Sequence, residues 1–249
     1  MKIKDRILES EAMESIEEVY AYDKLTKQYL AILHNGFVET ILNKSCEKGK
    51  FLEVGSGTGR VSIGIAKNNR YADITGIDLS KNMIQVATEN SINHSVSEQI
   101  NFKFGSATDI PFEDNSFDSV YCHNMLHHLP DPFLMIKEMK RVVKPEGSFF
   151  IRDLIRIPSA LIPFHVHLLG LTYNQLMKKE YRDSINAALS KEEWKDIHSK
   201  ADIKNSKITY HFITHQGIEK EANNKRQDYI KVPTPFYLNL FKNMYVSKY

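Results

Sequence analysis

The chain is poor in cysteine: Cys46 and Cys122 are the only two in 249 residues. They stand far apart and form no C-x-x-C pair. That excludes a disulfide framework and a thiolate zinc site, and it points to a reducing, cytoplasmic setting. Net charge is nearly absent too, at +2 from 33 basic and 31 acidic residues. The basic residues are spread along the chain, so no cationic stripe announces nucleic acid. Long apolar runs are missing. The greasiest stretch, Ala160 to Leu171, is broken by Pro163, His165 and His167, and no run is long enough to span a bilayer. Met1 to Glu18 is charged and lacks an apolar core, so it does not read as a secretory signal. Internal repeats and low-complexity tracts are lacking as well. What is left is an ordinary globular composition, 42% hydrophobic and 26% charged. Its length suits one α/β domain with an insertion or a cap.

Against that plain background Glu53-Val54-Gly55-Ser56-Gly57-Thr58-Gly59 stands out. It follows a short apolar run and precedes a helix-like segment. Three glycines in seven residues let a backbone turn tightly and approach a bulky ligand. The helix that follows turns its free N–H groups and positive dipole end toward that ligand. A dinucleotide fingerprint would read G-x-G-x-x-G, but here Arg60 stands where the third glycine belongs. A second apolar run, Ile74 to Ile77, ends in Asp78, placed to accept hydrogen bonds from ribose hydroxyls at the tip of the next parallel strand.

Strand and helix patterns alternate along the chain, which implies parallel strands with crossovers. Residues 1–45 read as helices, with Tyr29, Leu33, Phe37 and Ile41 on one stripe. Strands follow at Lys50–Val54, Asp73–Ile77, Ile100–Phe104, Ser119–Cys122 and Ser148–Asp153, with Lys144-Pro145-Glu146-Gly147 as a helix stop and turn before the last. Residues 154–189 carry apolar helical material instead of another strand. Ser190-Lys191-Glu192-Glu193 is a capping box ahead of a helix with Trp194, Ile197 and Ala201. Lys207–Thr214 and His215–Glu221 read as a closing strand pair.

The glycine loop, the acid at Asp78 and the later segments in this order resemble the class I S-adenosylmethionine (SAM) methyltransferases, specifically the type 11 small-molecule subset. The resemblance spans roughly residues 20–220. It implies a Rossmann-like, doubly wound, seven-stranded and mainly parallel sheet with a reversed C-terminal hairpin. It further implies an N-terminal helical lid (1–45), a SAM-binding domain (46–222) with a helical insertion at about 154–189, and a tail (223–249) that it does not place.

For the cofactor, the resemblance sets Gly55, Ser56, Gly57, Thr58 and Gly59 against the methionine part of SAM. Glu53 steadies the loop or meets the methionyl ammonium, Asp78 takes the ribose, and Leu79 and Met83 flank the adenine. In Gly105-Ser106-Ala107 the family's usual acid is replaced by Ser106, whose hydroxyl can still accept, while Ala107 offers its N–H. The segment from Tyr121 to Leu129 borders cofactor and acceptor, with the backbone near His123 approaching SAM. His127 or His128 is a candidate base, and Asp153, between Arg152 and Arg156, either orients the acceptor or ties the insertion to the sheet. Tyr20 and Tyr22 either close over the methyl group or pack in the core. His123 and His127, spaced i, i+4, would need a shared helix face and a third ligand to hold a metal; neither is evident, and sulfonium transfer requires none, so no metal is expected.

The expected function is methyl transfer to a small-molecule acceptor, with an apolar acceptor favoured by the insertion around His165 and His167. That insertion also reads as a helix against the main domain, as a dimer face compatible with a homodimer, or as a membrane-touching lid. A non-catalytic SAM-binding regulatory module is the alternative. An NAD enzyme is disfavoured by Arg60, and an arsenic methyltransferase by the two distant cysteines.

Overall fold

The computed structural model describes residues 6–9, 15–171, 173–211 and 213–233. The first two helices are α1 (Ile16–Tyr29) and α2 (Ala31–Lys44), and Ser15 opens α1 with a reciprocal capping box to Glu18. The alternating section runs β1 (Gly49–Val54), α3 (Arg60–Asn68), β2 (Ala72–Asp78), α4 (Lys81–Asn93), β3 (Ile100–Phe104), β4 (Phe117–His123), α5 (Pro132–Val142) and β5 (Val143–Leu154). The insertion holds α6 (Ile162–Leu169) and α7 (Gln175–Ala187), and α8 (Lys191–Ala201) leads into β6 (Lys207–His211) and β7 (His215–Lys220).

The seven strands lie in the order β3-β2-β1-β4-β5-β7-β6. Strands β3, β2, β1, β4 and β5 are parallel; β7 runs against them, and β6, antiparallel to β7, runs with them again at the edge. This is the Rossmann-like sheet with a reversed hairpin that the sequence implies. Chain order reverses between β1 and β4, and a crevice opens beyond the carboxyl ends of strands at such a switch point.

Alternation along the strands builds a core on each face of the sheet. Phe51, Ile74, Tyr121 and Phe150 face Phe37, Val38 and Ile41 of α2 and Val61 and Ile65 of α3. Leu52, Val120, Phe149 and Ile151 face Met135, Ile136 and Met139 of α5 and Trp194 and Ile197 of α8. Cutting a fully buried ring such as Phe150 to alanine would cost about 3–5 kcal/mol. The stripe on α2 divides its work: Phe37 and Ile41 are in this core, while Leu33 lines a cavity near the crevice.

Two local readings are corrected. The segment Lys144 to Gly147 belongs to β5 and does not turn ahead of it. A register shift against β4 between Phe117 and Ser119 accommodates Pro145, which has no N–H to give, and the Lys144 Nζ sits 2.6 Å from Asp118 Oδ1. Strand β6 stops at His211, short of Thr214. Of the tail, residues 223–233 run back along α2: Tyr229 donates to Glu39 Oε1 at 2.5 Å and the Val232 N–H to Oε2 at 2.8 Å. Both oxygens of that buried carboxylate are thereby satisfied. Residues 234–249 lie outside the described residues.

Candidate active site

The loop after β1 folds back at once: the N–H groups of Gly55 and Ser56 both donate to Ile77 O at 2.9 Å, which joins the tips of β1 and β2. Gly55, Gly57 and Gly59 adopt φ of 72°, 50° and 78°, a region only glycine enters freely. At Gly59 a Cβ would also sit 2.6 Å from the Phe102 ring. Gly59 is the N-cap of α3 and has no side chain to cap it; the capping oxygen comes from Glu53. Its Oε2 accepts from the Ser62 N–H at 3.1 Å and from the Ser62 hydroxyl. Glu53 thus holds the start of α3 through Oε2, and it also lines the cleft. Burial pushes its carboxyl up to about 8, against the pull of the Ser62 hydrogen bonds.

Asp78 closes the opposite side. Its Oδ2 accepts from the Gly57 N–H at 2.8 Å and its Oδ1 from the Ser80 N–H at 2.9 Å. A carboxylate has roughly four acceptor positions, and Asp78 also lines the cleft, where it can meet donors from a ligand. Burial raises its pKa, with the backbone N–H bonds pulling the other way. Leu79, Met83, Gly105, Ala107 and His123 line the same cleft, as do Ser56, Gly57 and Thr58. The buried Ser56 hydroxyl has no hydrogen-bond partner within the described residues, a polar atom suited to a ligand. Ser106 is outside the lining; its hydroxyl lies 3.0 Å from that of Thr108.

Helix α1 roofs the cleft. Asp23 pairs with Arg60 on α3, Nε to Oδ1 at 2.9 Å, and Tyr22 and Thr26 reach the lining. Tyr20 points elsewhere, to Glu89 on α4 at 2.7 Å.

A second cavity of about 820 Å³ adjoins the first and shares Tyr22, Thr26, Met83, Asn124 and His128 with it. Leu25, Leu33, Leu154, Leu169 and Met177 make much of its wall apolar, and Glu9, His127, Glu180 and Asp183 add polar points. That volume falls in the range for small-molecule sites.

His127 and Asp153 meet at the border. The 3-10 turn Leu126–His128 lies just past β4, and Asp153 is next to the end of β5. The His127 Nδ1 is 2.6 Å from Asp153 Oδ1, and Asp153 Oδ2 accepts the His127 N–H at 3.1 Å. This geometry places the proton on Nδ1 and leaves the Nε2 lone pair to take another. Burial alone would lower the His127 pKa, but the charge and hydrogen bond of Asp153, helped by Glu9, outweigh it and raise it. Burial likewise opposes ionisation of Asp153, and His127 overcomes it to hold the carboxyl below its ordinary value. Of the flanking arginines, Arg152 reaches Glu219 and Arg156 reaches Glu193.

His123 and His127 do not share a helix face, since one ends a strand and the other sits on the 3-10 turn. The His123 ring stacks on Phe37 with centroids 4.7 Å apart. Burial holds its pKa well below the usual histidine value. Glu9, Leu25, Tyr173 and Met177 also surround the second cavity, and no local pattern marked them. Asn124 carried one signal, an asparagine just past a strand end, where it adopts φ of 52°.

A mainly parallel sheet with a glycine loop and a strand-end carboxylate sharing one cleft at the switch point is the arrangement in which open α/β sheets bind nucleotide ligands. Residues 52–151 match the family described as "Methyltransferase domain". The 27-O-demethylrifamycin SV methyltransferase of Amycolatopsis mediterranei is 31% identical over 44% of this chain and 40% of its own length. The ubiquinone biosynthesis O-methyltransferase of Xanthomonas campestris pv. campestris is 35% identical over 50% of this chain and 49% of its own. The chain thus spans about half the length of the curated relatives it matches. In fold it resembles an S-adenosyl-L-methionine-dependent methyltransferase structure from Methanococcus maripaludis, with a TM-score of 0.67 and 21% identity over 89% of this chain and all of that one. Residues 52–151 are thus similar to a methyltransferase domain, and the fold around them is that of the SAM-dependent methyltransferase structure. Among the described residues no helix is long and apolar enough to cross a membrane.

Proposed function

We propose that this chain transfers the methyl group of SAM to a hydroxyl of a largely apolar small molecule, with the His127–Asp153 dyad taking the proton. The observation that carries the reading is the common wall between the two cavities, with His127, held by Asp153 at 2.6 Å, beside that wall. In this reading Gly55, Gly57 and Thr58 hold the methionine part, Asp78 holds the ribose, and Leu79, Met83 and Ala107 flank the adenine. Ser56 supplies a hydroxyl to the cofactor.

SAM, when bound, supplies a methyl carbon already activated by a positive sulfur. The chain's own task is to orient and to exclude water. The acceptor hydroxyl is held by the apolar wall in line with the methyl carbon, and positioning of this kind supplies on the order of 7–11 kcal/mol in favourable cases. With SAM bound, His127 Nε2 would take the hydroxyl proton as the acceptor oxygen gains the methyl group, the S–C bond breaking to leave S-adenosylhomocysteine, and Asp153 would stabilise the resulting imidazolium. The raised His127 pKa suits a group that must hold this proton. The two O-methyltransferase relatives support oxygen as the atom methylated.

The test is transfer of labelled methyl from SAM to a panel of lipophilic phenols and alcohols. Saturable O-methylation of apolar members, and weaker transfer to amines, is expected. Cofactor binding without transfer to any extract or pool would instead favour a non-catalytic SAM-binding module.

A further inference from the structure

We propose that Glu9, His127 and His128 form a binding site for a divalent transition ion of the zinc type, on the wall of the acceptor cavity. One carboxylate oxygen and two imidazole nitrogens lie there within 4.8 Å of one another. Glu9 Oε2 is 3.9 Å from His127 Nε2 and 3.6 Å from His128 Nδ1. Both separations are longer than a hydrogen bond. They approach the edge of a tetrahedron, about 3.3 Å when metal–ligand bonds are roughly 2.0–2.1 Å. A contraction of under about 1.5 Å would bring all three donors to one ion.

Two further observations fit a ligand set better than a chance gathering of charges. Asp153 accepts from His127 Nδ1 at 2.6 Å and so aims Nε2 toward Glu9. A carboxylate behind a ligating imidazole fixes its tautomer and strengthens its basicity toward a metal. The segment that carries Glu9 is also pinned to the turn that carries the histidines. Arg6 Nη2 donates to His127 O and to Leu129 O, each at 3.0 Å. Arg6 Nε donates to Ala187 O at 2.7 Å, and the Ile7 N–H to Asn186 O at 3.3 Å. The carboxylate is thus delivered to the histidines by its own anchored strand of backbone.

Two nitrogens and one oxygen suit zinc, cobalt or nickel better than magnesium or calcium, which favour all-oxygen shells. Three protein donors leave at least one position open toward the cavity. The ion would occupy the Nε2 that the dyad uses to take a proton. Loading is therefore inhibitory, a consequence that rests on the proposed function, whereas the site itself does not.

The test uses the full chain stripped of metal and titrated with Zn²⁺ by calorimetry. One ion per chain is expected, with binding at least tenfold weaker in Glu9→Gln and in His128→Ala. Co²⁺ should give visible absorption bands of a low-coordinate site in the wild type and lose them in both variants. S-adenosylhomocysteine affinity in the same samples should be equal in wild type and Glu9→Gln. That equality shows an intact fold and separates failure of the metal site from failure of the cofactor reading. No stoichiometric uptake, or equal uptake in both variants, overturns the site. Methyl transfer should fall at least tenfold on loading; a rise would overturn the inhibitory role and, with it, Nε2 as the proton acceptor.

Discussion

The two halves of the crevice are built differently. In the proposed reading much of the cofactor half comes from one continuous stretch, with β1, its glycine loop, β2 and the start of α4 between Gly49 and Met83, and Gly105, Ala107, His123 and α1 complete it. The acceptor half is gathered from residues 6–9, α1 and α2, the His127 turn, the end of β5, the insertion and the β6–β7 corner. A short-range motif fixes the first, because each glycine and the capping carboxylate act on neighbours in sequence or on the adjacent strand. The second exists only after the sheet has brought distant segments together. The same fold can therefore keep its cofactor and change its acceptor by altering loops that carry little of the core.

The comparison is most forcefully tested at the dyad. His127→Asn should lower kcat by about 10²–10⁴-fold and leave SAM affinity within about threefold, as expected for loss of a proton acceptor. Equal loss in affinity and turnover would show that the acceptor half is not separate from the cofactor half. The pH profile sharpens this. With its pKa raised, His127 sheds its proton above the ordinary histidine value, so kcat should climb with pH to a midpoint above 6.5, and Asp153→Asn should move that midpoint down. Stability runs the other way. The His127 imidazolium's contribution is complete below the unfolded pKa and fades as pH rises through the folded one.

Next in size is Asp78→Ala, which should weaken S-adenosylhomocysteine binding about 10- to 100-fold by removing a charged acceptor. Its effect on acceptor KM at saturating SAM should be small. Leu33→Gln reverses the pattern: acceptor KM should rise roughly tenfold through loss of apolar contact, with kcat and SAM affinity held. The smallest effect is expected at Ser106→Ala, less than about threefold on cofactor affinity by calorimetry, because that exposed hydroxyl bonds Thr108 and not the cleft. A tenfold loss there would mean that the adenine segment rearranges on binding.

This division also explains what could be read in advance. The order of strands and helices, the reversed hairpin and the loop from Gly55 to Gly59 follow from period, capping residues and glycine placement, all of which act over a few residues. The capping of α3 by Glu53 was half legible, since the acid was visible at the strand end while its partner Ser62 was not marked by spacing. The strand through Pro145 was missed because proline and glycine usually end an element, and here a register shift absorbs them. His127 and Asp153 were each legible as candidates, but their 2.6 Å contact depends on β4 and β5 being neighbours. Glu9 had no signal of its own; it reaches the site through the hydrogen bonds of Arg6.

The most direct test of the central claim is a crystal structure of the full chain with S-adenosylhomocysteine bound. The ribose hydroxyls should lie on the Asp78 carboxylate, with the sulfur facing the shared wall at Tyr22, Met83 and His128 and the opening to the apolar cavity. A nucleoside bound elsewhere, or one whose sulfur faces away from that wall, would contradict it.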